Sequence, residues 1–309
     1  MVPSKEKEQQ EQQETKNRDE KNASFKKKDK TIGAEEAQQK NNTDSITNMI
    51  MNSGKNYSSK NTPSSVAAES VVVDTETLVA QTQDRMWNAL KRGYEYDSSL
   101  KRGQDFLLNY VSSKIPLVIL YADLVGSTNM SMTLPVDKVV TIIRAFAYEM
   151  SSTVYCYQGY VLKYVGDAVI AFFPSGYNKL LACDKAVRCA KSMITIIKNG
   201  INPILNQYDY PELSVKIGID EGENVIVQYG QDRSSLIDIL SYCMSICAKI
   251  TSLTRPNKIS VGKDVYDMLH PQIKNKFIEV RHDITDWKYT DKHTGQIYKI
   301  YTLQDQQMV

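Results

Sequence analysis

Residues 115–128, IPLVILYADLVGST, carry the longest strongly apolar run of the chain, Ile115 to Ala122, closed by Asp123 and then by Gly126-Ser127-Thr128. An unbroken apolar run of this length, without alternation, predicts a strand buried on both faces. Next outward, VDKVVTIIRAFAYEMSSTVYCY (136–157) places Val139, Ile142, Ile143, Phe146 and Met150 on one side of a helix that ends before Gln158-Gly159. YVLKY, Val165-Gly166-Asp167 and AVIAFF then predict a hairpin, and residues 178–199 a second helix set between Pro174/Gly176 and Gly200. LSVKIGID (213–220) and NVIVQYG (224–230) predict another hairpin turning across Glu221-Gly222-Glu223. Residues 238–253 predict a third helix closed by Arg255-Pro256. KISV, a short helix near 264–269 and strands near 277–281 and 297–303 complete the pattern. The order implies an α+β domain with helices covering a mainly antiparallel sheet.

Composition sets limits on the rest. The 309 residues are 41% apolar and 24% charged, and 38 Lys+Arg against 36 Asp+Glu leave a net charge of +2. No global basic field draws such a chain onto nucleic acid or an anionic membrane, so a bound nucleotide must be held locally. Ile115–Ala122 is too short to cross a bilayer, which takes roughly 20 residues, and the charged N-terminus lacks the apolar core of a signal peptide; a cytoplasmic protein is expected. Cys156, Cys183, Cys189, Cys243 and Cys247 form no CxxC pair and lie far in sequence from His270, His282 and His293, so reduced thiols are expected. Residues 1–65 are polar and mixed in charge, with twelve Lys/Arg against ten Asp/Glu over residues 1–60, the Lys26-Lys27-Lys28 triplet included. They are expected to form a disordered tail. Residues 66–113 space Val71, Leu78, Met86, Leu90, Leu100, Phe106 and Leu107 at helical intervals, interrupted by Gly93 and Gly103. A helical linker or dimerisation segment is expected there, ahead of a folded domain over 114–309.

Two carboxylates stand out. Asp123 ends a buried strand and is poorly solvated unless paired, while the Gly-Ser-Thr after it offers backbone N–H groups to phosphate oxygens where the next helix begins. Asp167 sits at a turn between two apolar strands. Each alone also reads as a turn or capping residue. Together they are candidate ligands for Mg²⁺, which takes one or two protein carboxylates beside triphosphate oxygens and waters.

YADLVGST (121–128) and KYVGDAVIAFF (163–173), with their aspartates 44 positions apart, resemble the two metal-binding signatures of class III nucleotidyl cyclases. VKIGIDEGENVIVQYG (215–230) resembles the glycine-bearing segment that follows them, and IDILSYCMSICAKITSLTRPNKISVGKDVY (237–266) the later active-site helix with its next strand and helix. The resemblance spans about residues 114–303 and implies a ferredoxin-like, palm-type cyclase domain. It implies that Asp123, Asp167 and the Leu124 carbonyl hold two Mg²⁺ or Mn²⁺ ions, with Gly126, Ser127 and Thr128 along the triphosphate. Lys163 falls at the base-selecting lysine and Asp238 at its Thr/Asp partner, which implies adenine, hence ATP converted to 3′,5′-cyclic AMP and pyrophosphate. Lys163 also reads as an exposed strand residue, and Asp238 as a helix N-cap.

Two positions depart from the pattern. Where the family carries a ribose-orienting Asn and a transition-state Arg, this chain has Ser245 and Lys249. Lysine keeps the charge but not the planar fork, and serine lacks the amide. These departures keep open a second reading, a weak or inactive cyclase-homology module that binds nucleotide or regulates a partner. Lys288, in DWKYTDK, falls where relatives place a triphosphate lysine, and it also reads as a solvated loop residue. A polymerase-like palm shares the broad topology but explains neither the cyclase signatures nor the missing basic groove. The resemblance finally implies a site shared between two catalytic domains, hence a homodimer, or a heterodimer with another cyclase domain. A linker helix would set their orientation.

Overall fold

The computed structural model describes residues 74–92, 99–230, 232, 235–280, 287–291 and 294–304. The expected tail, Val71, Gly93, His282 and His293 lie outside the described residues. Ser70–Val309 forms one compact unit. Its elements are α1 (Thr75–Arg92), α2 (Ser99–Leu108), β1 (Lys114–Val125), α3 (Ser127–Thr133), α4 (Val136–Cys156), β2 (Tyr160–Val165), β3 (Ala168–Pro174) and α5 (Lys179–Ile196). A π-turn, Ile197–Ile201, leads into α6 (Asn202–Asn206), followed by β4 (Ser214–Gln228), β5 (Ile237–Leu240), α7 (Tyr242–Leu253) and β6 (Lys258–Gly262). The short α8 (Lys263–Met268) and α9 (Pro271–Lys274) precede β7 (Phe277–Glu279) and β8 (Ile300–Leu303). No described helix is long and apolar enough to cross a membrane.

Among the described residues the strands form one eight-stranded sheet in the order β2-β3-β1-β4-β6-β8-β7, with β5 paired to β4 off that path. Only β4 and β6 run parallel. β1 sits in the middle and alternates its side chains between two cores, which is why its sequence is apolar throughout. Val118, Leu120 and Ala122 join Ile142, Phe146 and Met150 of α4 and Ala186, Ala190 and Met193 of α5. Leu117 and Ile119 face the other way, with Leu107 of α2, Ile170, Phe172, Ile237 and Ile239, and Cys243 and Cys247 of α7. The α+β architecture expected from the sequence is present.

Two expectations about glycine fail for the same reason. Residues 213–230 do not turn at Gly222: β4 is one strand, paired with β1 without a break from Lys114 opposite Val225 to Val125 opposite Ser214. Gly222 instead lets α7 approach, since a Cβ there would lie 3.1 Å from Cys243 Cβ. Nor does the second helix stop at Gly200. It passes through the π-turn into α6, and a Cβ on Gly200 would lie 2.9 Å from Thr82 Cγ2 of α1. The third predicted helix is also shorter at its start: residues 237–240 are a strand, and the cap is Ser241, whose hydroxyl accepts from Met244 N at 2.8 Å. Asp238 is therefore a strand residue and not an N-cap.

Buried polar groups tie the layers together. The carboxylate of Glu149 on α4, 1% exposed, accepts from Arg85 Nη2 at 2.6 Å, Arg85 Nε at 2.7 Å and Thr82 Oγ1 at 2.7 Å, anchoring α1. Asp220 on β4 is buried and accepts from the Tyr298 hydroxyl at 2.7 Å. Burial pushes its carboxyl well above the usual range. Glu221 beside it accepts from Ser175 Oγ at 2.9 Å and pairs with Lys179.

Arg85→Leu strands a buried carboxylate and is expected to lower stability by about 2–4 kcal/mol in urea denaturation, the range for losing one partner of a buried pair whose cation is partly solvated. Because burial raises the Asp220 carboxyl above its unfolded value of about 4, the folded state binds its proton more tightly, and its contribution to stability falls as pH rises above that value. Asp220→Asn keeps an acceptor for Tyr298 and removes the titration. Denaturation at pH 5 and pH 8 is expected to show a smaller loss between the two for the variant.

Candidate active site

The site is built around the end of β1. Asp123 lies opposite Ala168 on β3 and opposite Lys216 on β4, so Asp167, next to Ala168 in the β2–β3 turn, stands beside it. Gly166 makes that turn possible, with φ 61° and nothing within 4 Å of an added Cβ; conformation and not space requires glycine there. Partial burial and then the neighbouring Asp167 raise the pKa of Asp123, while Lys216 opposes the rise. Two carboxylates held together against their own repulsion form a donor set suited to a divalent cation. Among the described residues no group of three or more His, Cys, Asp and Glu gathers at one point, so such an ion would complete its shell from backbone, water and substrate oxygens. Gly126, at φ 83° with open space around its Cβ position, turns the chain into α3, leaving Ser127 half-buried and Thr128 exposed.

Lys163 reaches the same face of the sheet through an irregularity. The β2–β3 register shifts between Val161 and Lys163, with Leu162 as the extra residue. Val161 packs into the core beneath α4, and strict alternation would send Lys163 to that side as well. The bulge moves it to pair with Ile170, which faces the α2/α7 core, and that places it beside Asp238. Lys163 Nζ donates to Asp238 Oδ2 at 2.5 Å, while Asp238 Oδ1 accepts from Ile239 N at 2.8 Å. Tyr121, two residues before Asp123, donates its hydroxyl to Met244 Sδ at 3.3 Å. Burial, with Cys247 and Asp238 nearby, pushes its pKa up to about 12, so it is a neutral phenol.

The sequence-predicted residues thus assemble into two pairs, Asp123 with Asp167 and Lys163 with Asp238. Ser245 and Lys249 stand on the exposed side of α7, one turn apart, and the Ser245 hydroxyl donates to Ser241 O at 3.3 Å. The charged neighbours that bear on Asp123 are Asp167 and Lys216; Lys249 is not among them. Lys288 is exposed beside the buried Trp287, whose indole donates to Tyr298 O at 2.8 Å. Lys216 and the Leu162 bulge are new to the site. A lysine two residues after Ser214 carries no signal in sequence, because only the β1–β4 register sets it across from Asp123.

Comparison with known proteins agrees with this fold. The family described as the adenylate and guanylate cyclase catalytic domain matches residues 110–304. A cytidylate cyclase of Escherichia coli is 24% identical over 161 residues, covering 50% of this chain and 35% of that protein. The chain thus spans about a third of the length of that relative. A uridylate cyclase of Rhodovulum sp. (strain MB263) is 24% identical over 231 residues, 71% of this chain and 92% of that protein. Among solved structures, the guanylyl cyclase Cya2 superposes with a TM-score of 0.53 at 19% identity, covering 62% of this chain and 93% of that one, a likeness of fold. With a family match over residues 110–304, well over half of its length, this chain belongs to the adenylate and guanylate cyclase catalytic domain family.

Proposed function

We propose that the protein is a nucleotidyl cyclase that converts ATP to 3′,5′-cyclic AMP and pyrophosphate, acting in cytoplasmic signalling. The observation that carries this reading is the pair of carboxylates at the end of β1, set on the same domain as a lysine–aspartate pair able to read a base edge. Asp123 and Asp167 would hold Mg²⁺ or Mn²⁺, with the Leu124 carbonyl as a further ligand. The ions would supply charge neutralisation at the α-phosphate and favour ionisation of the ribose 3′-hydroxyl. Lys216 limits the repulsion that Asp123 feels and so helps keep it ionised. The turn at Gly126, with Ser127 and Thr128, leaves backbone N–H groups open toward phosphate oxygens.

Lys163 donates to the ring nitrogen of the base and Asp238 accepts from its exocyclic amine. Adenine presents that pattern, whereas guanine reverses it. The ion pair is partly buried, Lys163 33% and Asp238 15% exposed, so a base that enters must replace both of its charge-assisted contacts. Ser245 and Lys249 are exposed on α7, and a second domain facing that helix would bring its triphosphate to them. This favours a homodimer, or a heterodimer with another cyclase domain, in which Lys249 supplies the transition-state cation. Lys288 is a solvated loop lysine in this reading.

A second substrate is favoured by one observation. Cytosine carries the same ring acceptor beside an amine as adenine, and the E. coli relative is a cytidylate cyclase. Lys163 and Asp238 therefore select a base with a ring acceptor beside an amine over guanine or uracil, without deciding between a purine and a pyrimidine. Ser245 and Lys249 favour the further alternative of a module that binds nucleotide with little turnover.

The full chain, incubated with Mn²⁺ and each of ATP, CTP, GTP and UTP, is expected to form cyclic AMP, and Asp123→Ala to form none. Cyclic CMP in excess over cyclic AMP would establish the cytidylate reading, and no product from a chain that binds ATP would establish the module. Restoring the fork and the amide with Ser245→Asn and Lys249→Arg together is expected to raise kcat by roughly tenfold or more. An unchanged kcat at saturating nucleotide and metal would show that these positions do not limit the rate.

A further inference from the structure

Asp238 sits on a strand with one paired edge. β5 is four residues long and, among the described strands, pairs with β4 alone, from Val225 opposite Leu240 to Gln228 opposite Ile237. Its other edge is closed by a side chain from the N-terminal helices. Gln104 Nε2 on α2 donates to Ile237 O at 3.0 Å, and Gln104 Oε1 accepts from Ile237 N at 3.0 Å. The carboxamide occupies the place of a neighbouring strand, satisfying both backbone groups of the residue before Asp238.

The same helix presses on the strand that carries Lys163. A Cβ on Gly103 would lie 2.1 Å from Val161 O, two residues before Lys163, so α2 approaches β2 more closely than any side chain permits. Leu107 is fully buried in the cluster that holds Leu162, Ile237 and Ile239, and Arg102 places its guanidinium 4.6 Å from the Tyr160 ring centroid. One helix thus touches both strands of the base-reading pair. Because Asp238 Oδ1 is taken by Ile239 N, the direction of Oδ2 toward Lys163 follows the backbone of β5.

We propose that Gln104 is a positioning residue for base selection: its carboxamide fixes the edge of β5 and so holds Asp238 at the angle that, with Lys163, tells a base edge with a ring acceptor beside an amine (adenine, cytosine) from one with a ring N–H beside a carbonyl (guanine, uracil). The inference rests on the base-reading role given above to Lys163 and Asp238. It makes α2 part of the specificity apparatus, although no atom of that helix need touch the nucleotide.

The test compares equilibrium affinities of the full chain for ATP, CTP, GTP and UTP, so it does not depend on turnover. Gln104→Leu removes both hydrogen bonds at similar volume. Gln104→Glu keeps the acceptor for Ile237 N and loses the donor, which supplies a second variant should the first unfold. Gln104→Leu is expected to lower the preference for the tighter-binding of ATP and CTP over GTP by about tenfold, and Gln104→Glu by less. Hydrogen exchange of residues 237–240 is expected to speed up in both. A purely structural role would weaken all four nucleotides by one factor and leave the ratio intact, which would overturn the proposal. Lys163→Ala separates the two levels. If it abolishes discrimination and the Gln104 variants do not, the positioning role fails alone. If Lys163→Ala leaves discrimination unchanged, or the parent chain shows none, the base reading fails and the positioning role with it.

Discussion

The unbroken antiparallel pairing of β1 with β4 is the constraint on which the rest of the domain depends. It fixes which residue of a 15-residue strand lies across from the terminal carboxylate of β1, and the answer is Lys216. It also leaves the far edge of β4 to be shared. β6 takes Lys216 to Ile219 and β5 takes Val225 to Gln228. Between them, Asp220 to Asn224 pair with no described strand on that edge, and the side chains at its two ends are held by groups from elsewhere in the fold. Tyr298 reaches Asp220, and Ser241 donates to Asn224 Oδ1 at 2.6 Å at the very residue that caps α7. The helix bearing Ser245 and Lys249 is therefore positioned by an interruption in the sheet.

Much of this architecture is legible in the sequence because it rests on local periodicity. The apolar run before Asp123 reads as a doubly buried strand, the spacing after Val136 as a helix, and Gly166-Asp167 as a tight turn, and each is found. Gly222 and Gly200 misled because glycine has two uses that look alike in one dimension. It can permit a backbone angle, as at Gly166 and Gly126, or it can admit a neighbour, as at Gly222 beneath Cys243 and Gly200 beneath Thr82. Nothing within a few residues of Gly222 distinguishes these; the neighbour that decides comes from α7.

The candidate site divides along the same line. Asp123 and Asp167 announce themselves by position, a charge at the end of an apolar strand and a charge in a turn. Lys163 and Asp238 were visible through resemblance, but how they meet was not. Alternation along YVLKY would put Lys163 on the wrong side of the sheet, and the one-residue bulge at Leu162 reverses that. Lys216 and Gln104 gave no sign of themselves in the sequence, since each matters only through what lies across from it.

The five thiols have a chemical consequence of their own. All are free, and four are buried: Cys183 and Cys189 are on the buried side of α5, and Cys243 and Cys247 line the inner side of α7. Burial pushes each of these four thiols above its ordinary pKa, and the Cys247 Sγ lies 3.3 Å from both Ile119 O and Gly218 O. A thiol that does not ionise is neither a good nucleophile nor easily oxidised. The helix that follows the base-reading strand is thus lined with sulfur yet shielded from mild oxidants and alkylating reagents, which leaves the half-buried Cys156 as the thiol of this domain most open to them.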